Sequence, residues 1–315
     1  MQYRNLGSSG LKVSAIGLGT NQFGGKVDQK GVTNIIAAAI DAGINFFDTA
    51  NVYQGGRSEE TIGKAIKGKR GQVLIATKVF NPTGEGPNER GSSRKHIMDA
   101  VEASLHRLDT NYIDLYQMHR WDKETPIEET LRALDDLITQ GKVRYIGSSA
   151  FASWQIAHAQ DLAGLHGWNK FVSDQPHYHM LERHIQEEVI PACEYFGLGI
   201  LPYFPLAGGF LTGKYKQGQS APEGSRGETS QYVQRYMTDE NYHFLDQLTT
   251  FAQSRGHTIG ELAHAWLLAQ PVISSVISGA TKVEHVQANA KSVEWELSAE
   301  EFAEVNQILD VEESQ

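Results

Sequence analysis

The stretch INFFDTANVYQGGRSEETIGKAI, residues 44–66, places a carboxylate, Asp48, directly after a short apolar run and a phenol, Tyr53, five residues later. The run VLIAT at 73–77 leads into an ammonium, Lys78, and YIDLYQM at 112–118 leads into an imidazole, His119. A phenol near its ordinary pKa of about 10 is a poor proton donor at neutral pH, and a nearby lysine ammonium lowers that value by favouring the phenolate. A buried lysine keeps its charge only beside a carboxylate, which Asp48 can supply. His119 can donate a hydrogen bond to a substrate oxygen and orient it. Singly, each residue has an ordinary structural explanation: an ion pair, a satisfied core histidine, a surface aromatic. Four of them at the ends of apolar runs form a pattern that such accidents do not produce.

The elements that must position them follow from periodicity. Eight short apolar runs read as strands: 15–19, 45–47, 73–77, 112–118, 143–147, 170–174, 199–203 and 272–278. Between them lie stretches of helical spacing, such as KGVTNIIAAAIDAG, stopped by Gly43. In TPIEETLRALDDLITQGK the order predicts Thr125 as N-cap, Pro126 at the first helical position, Glu128 completing a capping box and Gly141 as the stop. Strands alternating with helices predict parallel pairing, and eight such units in this length predict an α/β fold, a closed (β/α)8 TIM barrel. Residues 1–14 read as an N-terminal β-hairpin, and no linker divides the chain, so 1–315 is expected to be one domain. The longest irregular segment, 206–238, is a candidate lid loop at the C-terminal face. The runs end on or beside Thr20, Asp48, Lys78, His119, Ser148 with Ser149, Gln175, Tyr203, and Gly279 with Thr281. In a parallel barrel all of these meet at one mouth, where barrel enzymes carry their chemistry.

Composition narrows the classes. A net charge of −10 argues against a nucleic-acid partner, and no apolar run approaches a membrane span. The single cysteine, Cys193, excludes an intramolecular disulfide framework and any cysteine-rich metal site, and a reducing cytoplasm is the expected compartment. No metal is expected. Oligomeric state, monomer or homo-oligomer, is not legible.

At RNLGSSGLKVSAIGLGT, INFFDTANVY with SEETIGKAI, VLIATK, SLHRLDTNYIDLYQMHRWD, TPIEETLRALDDLITQGKVRYIGSS and VISGATKVEHVQAN, the sequence resembles the aldo-keto reductase superfamily along nearly its whole length. In that family an Asp, Tyr, Lys and His form the catalytic tetrad, and Asp48, Tyr53, Lys78 and His119 match it one by one. The resemblance implies NADPH across the barrel mouth, with NADH as second choice, and reduction of an aldehyde or ketone. In that reaction hydride passes from nicotinamide C4 and Tyr53 protonates the developing alkoxide. It implies that Tyr203 stacks under the nicotinamide, that Ser148, Ser149 and Gln175 hold its carboxamide, and that Lys282 in SGATK meets the 2′-phosphate. Gly19, Thr20, Asn21, Asp48, Pro205, Leu206, Gly208, Lys214, Gly279, Thr281, His285 and Asn289 complete the implied cofactor contacts. Phe23, Tyr53, His119 and Trp121 are the expected walls of the substrate pocket. Gln54 stands where a glycine commonly follows the tyrosine, Phe204 where a serine is common, and His285 and Gln287 at positions that are often Gln and Glu.

Competing motifs fail on detail. GGFLTGKY at 208–215 has Tyr215 where a P-loop needs Ser or Thr, GLGTNQFG at 17–24 lacks the third glycine of a dinucleotide fingerprint, and HYH at 177–179 has no partnering ligand motif. Two other functions compete. One is a nucleotide-sensing interaction protein like potassium channel β-subunits, disfavoured by the absence of an extra N-terminal segment or coiled coil. The other is a non-redox barrel enzyme such as a phosphosugar isomerase.

Overall fold

The computed structural model describes residues 1–310, so the last five residues of the expected 1–315 domain lie outside it. The opening hairpin pairs β1, Tyr3–Asn5, antiparallel with β2, Lys12–Ser14. Eight parallel strands follow in one sheet: β3 Ile16–Gly19, β4 Phe46–Asp48, β5 Leu74–Val79, β6 Ile113–Met118, β7 Val143–Ser149, β8 Phe171–Gln175, β9 Gly199–Ile200 and β10 Val276–Gly279. β6 is buried at every position, as parallel strands covered by helices must be. The spatial order is β10-β3-β4-β5-β6-β7-β8-β9, and parallel bridges Ile200↔Ile273 and Tyr203↔Ile277 join the two edges into a barrel.

Helices α1 Gln29–Asp41, α2 Arg57–Ala65, α3 Arg94–Leu108, α4 Ile127–Thr139, α5 Ser153–His166 and α6 Val189–Phe196 follow β3 to β8 in turn. α1 is typical of them. The Asp28 carboxylate caps its start by accepting from Gly31 N, Val32, Ile35, Ile36 and Ala39 are buried, and Gly43 follows its end with φ of 79°. Between β9 and β10 come the single-turn helices α7 Arg226–Thr229 and α8 Gln231–Gln234, then α9 Asp239–Ser254 and α10 Ile259–Leu268. α11 Val283–Lys291 and α12 Ala299–Asp310 complete the shell.

Three expectations change. Thr125 does not cap α4: its hydroxyl donates to Asp122 Oδ2 at 2.8 Å, Pro126 occupies the N-cap, and no side chain caps the helix, so Glu128 has no box to complete. Strand 199–203 shrinks to Gly199–Ile200, because Pro202 has no N–H to give the ladder and only its carbonyl accepts, from Ile277 N; the expected 272–278 becomes Val276–Gly279, with Val272 and Ser274 bonded to Ile200 through an isolated bridge. Segment 206–238 is not an unpacked loop. It contains a 3-10 turn at Ala207–Thr212, α7 and α8, and it buries Phe210, Leu211, Tyr215, Val233 and Tyr236.

The hairpin seals the end where the strands begin. Leu6 and Val13 join Phe46, Ala76, Leu115, Leu201 and Ile277 in an apolar cluster inside the barrel. The Arg4 guanidinium fastens the hairpin by donating to Leu268 O at 2.7 Å and Ile273 O at 2.9 Å. A separate, larger cluster lies between barrel and helices.

Candidate active site

At the other end, two residues further along the inward faces, the strands turn polar. Asp48 ends β4, Lys78 lies one residue before the end of β5, and Gln117 and Gln175 come from β6 and β8. Lys78 is fully buried and donates to Asp48 Oδ1 and Oδ2, both at 2.7 Å, and to Thr49 O at 2.8 Å. Asp48 Oδ1 also accepts from Gln175 Nε2 at 2.7 Å and Gln117 Nε2 at 3.3 Å. Burial alone would strip the charge from Lys78, but the Asp48 charge, the Tyr53 phenol and the hydrogen bonds outweigh it, and its pKa sits above the usual lysine value.

Tyr53 opens a 3-10 turn just after β4, with its ring centroid 5.2 Å from Lys78 Nζ and 5.9 Å from the His119 ring. Here the expected direction is reversed. Burial raises the Tyr53 pKa more than the Lys78 charge lowers it, so the phenol is held firmly protonated. Lys78 acts on it through its charge and through a side-chain hydrogen bond, both of which pull the value down without overcoming burial. His119 follows β6, and burial together with the Lys78 and Arg120 charges drives it down to about 3, so it is neutral at pH 7. Asn81 Nδ2 donates to His119 Nδ1 at 3.1 Å, which leaves Nε2 carrying the ring proton and free to donate.

The turn after Tyr53 depends on Gln54, whose φ of 55° explains why glycine suits this place. Its side chain offsets the strain by donating to Asn21 O at 2.8 Å. Glu59, fully buried in α2, accepts from Thr77 Oγ1 at 2.6 Å and from Arg107 Nε at 2.7 Å, tying the tyrosine-bearing segment to the strand that carries Lys78.

The residues assigned to the cofactor fall into three groups. Around β7 and β8, Ser148 Oγ donates to Asp174 Oδ1 at 2.6 Å, and Ser149 Oγ donates to Gln175 O at 2.8 Å. Burial lifts Asp174 to about 7, and its Oδ2 has no partner among the described residues. After β9, Tyr203 is partly exposed, with one ring face stacked on His177 at 5.2 Å. Next to it Phe204, Ala207, Gly208 and Gly209 all take positive φ, while Pro205 is buried and Leu206 O accepts from Gly209 N at 2.8 Å. At the N-terminus of α11, no side chain caps Lys282, and His285 Nδ1 accepts from Thr281 N at 3.3 Å. Burial and the charges of Lys282 and Lys214 lower His285. Gly19 pairs with Gly279, Asn289 is buried in α11, and Thr20 is spent on structure, donating to Asp48 O at 2.8 Å.

Of the expected pocket walls, Tyr53, His119 and Trp121 stand at the mouth. Trp121 is half-buried and packs edge-on against Phe151 and Trp154, each at 5.3 Å. Phe23 is a correction: it is fully buried in the core, bridges Val27, and offers no surface to a ligand. Asn81 and Gln117 were not singled out from the sequence. Gln117 was readable as a lone polar residue inside an apolar run two positions before His119, and Asn81 as an amide three positions after Lys78. Among the described residues no cluster of ligating side chains could hold a metal, and no helix is long and apolar enough to cross a membrane.

Residues 15–310 match the Aldo/keto reductase family. A probable voltage-gated potassium channel subunit beta of Arabidopsis thaliana is 41% identical over 93% of this chain and 92% of its own. An uncharacterized oxidoreductase of Bacillus subtilis is 38% identical over 98% of this chain and 96% of its own. Versiconal hemiacetal acetate reductase of Aspergillus parasiticus is 35% identical over 96% of this chain and 95% of its own.

Proposed function

The chain belongs to the aldo/keto reductase family, and from that premise we propose that it is an oxidoreductase reducing aldehydes or ketones to alcohols with NADPH, reversibly. The single observation that carries this is the Asp48–Lys78 pair held at 2.7 Å beneath a protonated Tyr53 and beside a neutral His119.

The residues fit a dinucleotide. Lys282 stands at the N-cap of α11, where no side chain caps the first turn, a position suited to phosphate, and it is the choice for the 2′-phosphate. Tyr203 keeps one ring face free of His177 and would take the nicotinamide there, with Ser149 and Gln175 at its carboxamide and Asn289 toward the adenine. When bound, the reduced nicotinamide supplies hydride. His119 Nε2–H holds the substrate carbonyl oxygen and polarises it. Tyr53 gives its proton to that oxygen as negative charge develops, and the Lys78 ammonium stabilises the phenolate left behind. Asp48 keeps Lys78 charged throughout. Segment 206–238 would act as the lid: Arg226 reaches Asn21 Oδ1 at 3.3 Å and Lys26 reaches Gly224 O at 2.7 Å, across the mouth from β3.

The test is NADPH absorbance decay with a panel of aldehydes, ketones and dicarbonyls, on wild type and Tyr53→Phe. Turnover is expected to fall by about 10²- to 10⁴-fold in the variant, with NADPH binding retained by fluorescence titration. Equal turnover in both would remove Tyr53 as the acid.

The likeness to channel β-subunits favours a second reading, a nucleotide-sensing partner of another protein. Tight NADPH binding without turnover across the whole panel would select it.

A further inference from the structure

The HYH stretch at 177–179 takes no part in the proton transfer proposed above, yet both imidazoles are enclosed: His179 is fully buried, and 11% of the His177 side chain is exposed. Past the end of β8, Tyr203 N donates to Pro176 O at 3.1 Å, and His177 pairs with Tyr203 in an isolated parallel bridge. Residues paired across a ladder point their side chains to one side. The bridge thus sets the two rings abreast, 14° from parallel with centroids 5.2 Å apart.

The His177 ring is held from other directions as well. The Tyr232 hydroxyl lies 3.0 and 3.1 Å from its two nitrogens, and the rings of His179 and Phe204 meet it edge-on at 4.8 and 6.0 Å. His179 is fixed in turn. Leu181 N donates to its Nδ1 at 3.2 Å, so the ring proton is on Nε2, which donates to the Tyr236 hydroxyl at 3.1 Å. That hydroxyl also accepts from Arg235 at 2.6 Å and donates to Glu182 Oε2 at 3.4 Å, and Arg235 donates to Glu182 at 2.9 Å. Burial lowers the His177 pKa to about 4, so at pH 7 a neutral, flat ring lies against Tyr203.

A tyrosine ring turns about two side-chain bonds, and a neighbour packed on one face limits both. We propose that His177 is a positioning residue that braces Tyr203, with the Tyr232 hydroxyl bracing His177, so that the other Tyr203 face meets the nicotinamide at one fixed angle. This rests on the NADPH reading above. Reacting atoms must be aligned at about 3–3.5 Å, so a platform free to tilt slows hydride transfer as well as weakening binding.

Two readouts test this. In protein labelled with 3-fluorotyrosine and free of nucleotide, the Tyr203 fluorine resonance is identified by its loss in Tyr203→Phe. It should lie away from the free fluorotyrosine position in wild type and in His177→Phe, which keeps a flat ring; in His177→Ala it should narrow and move toward that position. NADPH titrated by fluorescence should bind His177→Ala about three- to tenfold more weakly, the size of one aromatic contact, and the primary deuterium isotope effect on kcat with deuterated NADPH should rise. His177→Phe should restore most of both. Tyr232→Phe, which loses only the hydroxyl, should move both in the direction of His177→Ala by less. An unmoved Tyr203 resonance in His177→Ala, wild-type affinity and isotope effect in that variant, or no restoration in His177→Phe overturns the proposal. Where His177→Ala does not fold, Tyr232→Phe decides, and wild-type values there overturn it. A wild type that binds no NADPH fails the cofactor reading, and the fluorine resonance still decides whether His177 holds the ring.

Discussion

Two residues of strand separate the two ends of the barrel interior. At the sealed end β4, β5 and β6 point Phe46, Ala76 and Leu115 inward; at the mouth the same strands point Asp48, Lys78 and Gln117. The ladder is continuous through both, with Ala76 opposite Leu115 and Lys78 opposite Gln117. The backbone therefore makes no distinction between the ends; side-chain chemistry makes all of it. The sealed end is closed by the hairpin and gains from apolar burial. The mouth instead holds a buried ion pair, an Asp174 oxygen without a partner among the described residues, and left-handed φ at Gln54, Ala150, Phe204 and Ala207, each of which weighs against stability. The difference teaches that one end of this molecule stabilises the fold and the other draws on that stability to hold reactive groups in place.

The sharpest way to break the comparison is Lys78→Met. It should lower kcat/KM by about 10²- to 10⁴-fold, as loss of an activating group does. It should also destabilise by about 3–5 kcal/mol, because Asp48 is left buried without its counter-charge. NADPH oxidation and urea unfolding read the two effects. Adding Asp48→Leu should return much of the stability and none of the activity. Recovery of both would mean the pair is structural only.

At the sealed end, Leu6→Ala should cost about 2–5 kcal/mol through the cavity it leaves. Its kcat, measured on the folded fraction, should change by less than about twofold. A fall in kcat comparable to that of Lys78→Met would show that the ends are not separable.

A smaller effect lies in the wall between them. His264 of α10 is fully buried against Ser278 of β10 at 3.0 Å, and burial lowers its pKa to about 4. The unfolded chain takes up this proton as pH falls through about 6.5 and the native state does not until about 4. Stability is therefore complete above that window and is lost as pH falls through it, by about 2 kcal/mol at pH 5 for one such imidazole. His264→Gln should remove that part of the slope between pH 7 and 5 in urea titrations. An unchanged slope would mean that the native imidazole is already charged.

How much of this was legible follows the same axis. The barrel and the polar strand ends could be read because parallel strands buried on both faces leave near-continuous apolar runs, and a charged residue at the end of one is conspicuous. The runs were closed too early, however: Asp48, Lys78, Ser148, Ser149 and Gln175 belong to the strands, since a ladder continues for as long as the backbone pairs, whatever the side chain. The Tyr53 pKa reversal was not legible because it depends on how deeply the ring is buried, a quantity set by elements distant in sequence. Phe23 was misplaced for a similar reason: nothing local separates a core aromatic from a pocket aromatic. Thr125 failed as a cap because Asp122, three residues earlier, competes for its hydroxyl.

The smallest prediction asks whether strain at the mouth is retained for position. Gln54 holds φ at 55°, which costs a non-glycine residue about 1–2 kcal/mol, and its bond to Asn21 O returns about 1 kcal/mol. Gln54→Gly relieves the strain but loses the bond and frees the unfolded chain, so stability should change by less than about 1 kcal/mol. Gln54→Ala keeps the strain and loses the bond, so it should be the less stable of the two in the same urea titration. Both cut the tether from the residue after Tyr53 to the loop after β3, so kcat should fall in both, by up to about fivefold for a contact of this size. If Gln54→Gly unfolds later than wild type and turns over equally fast, the side chain positions nothing and the left-handed turn alone sets the tyrosine. If it is as stable but slower, the strained turn is retained because its side chain aims the phenol.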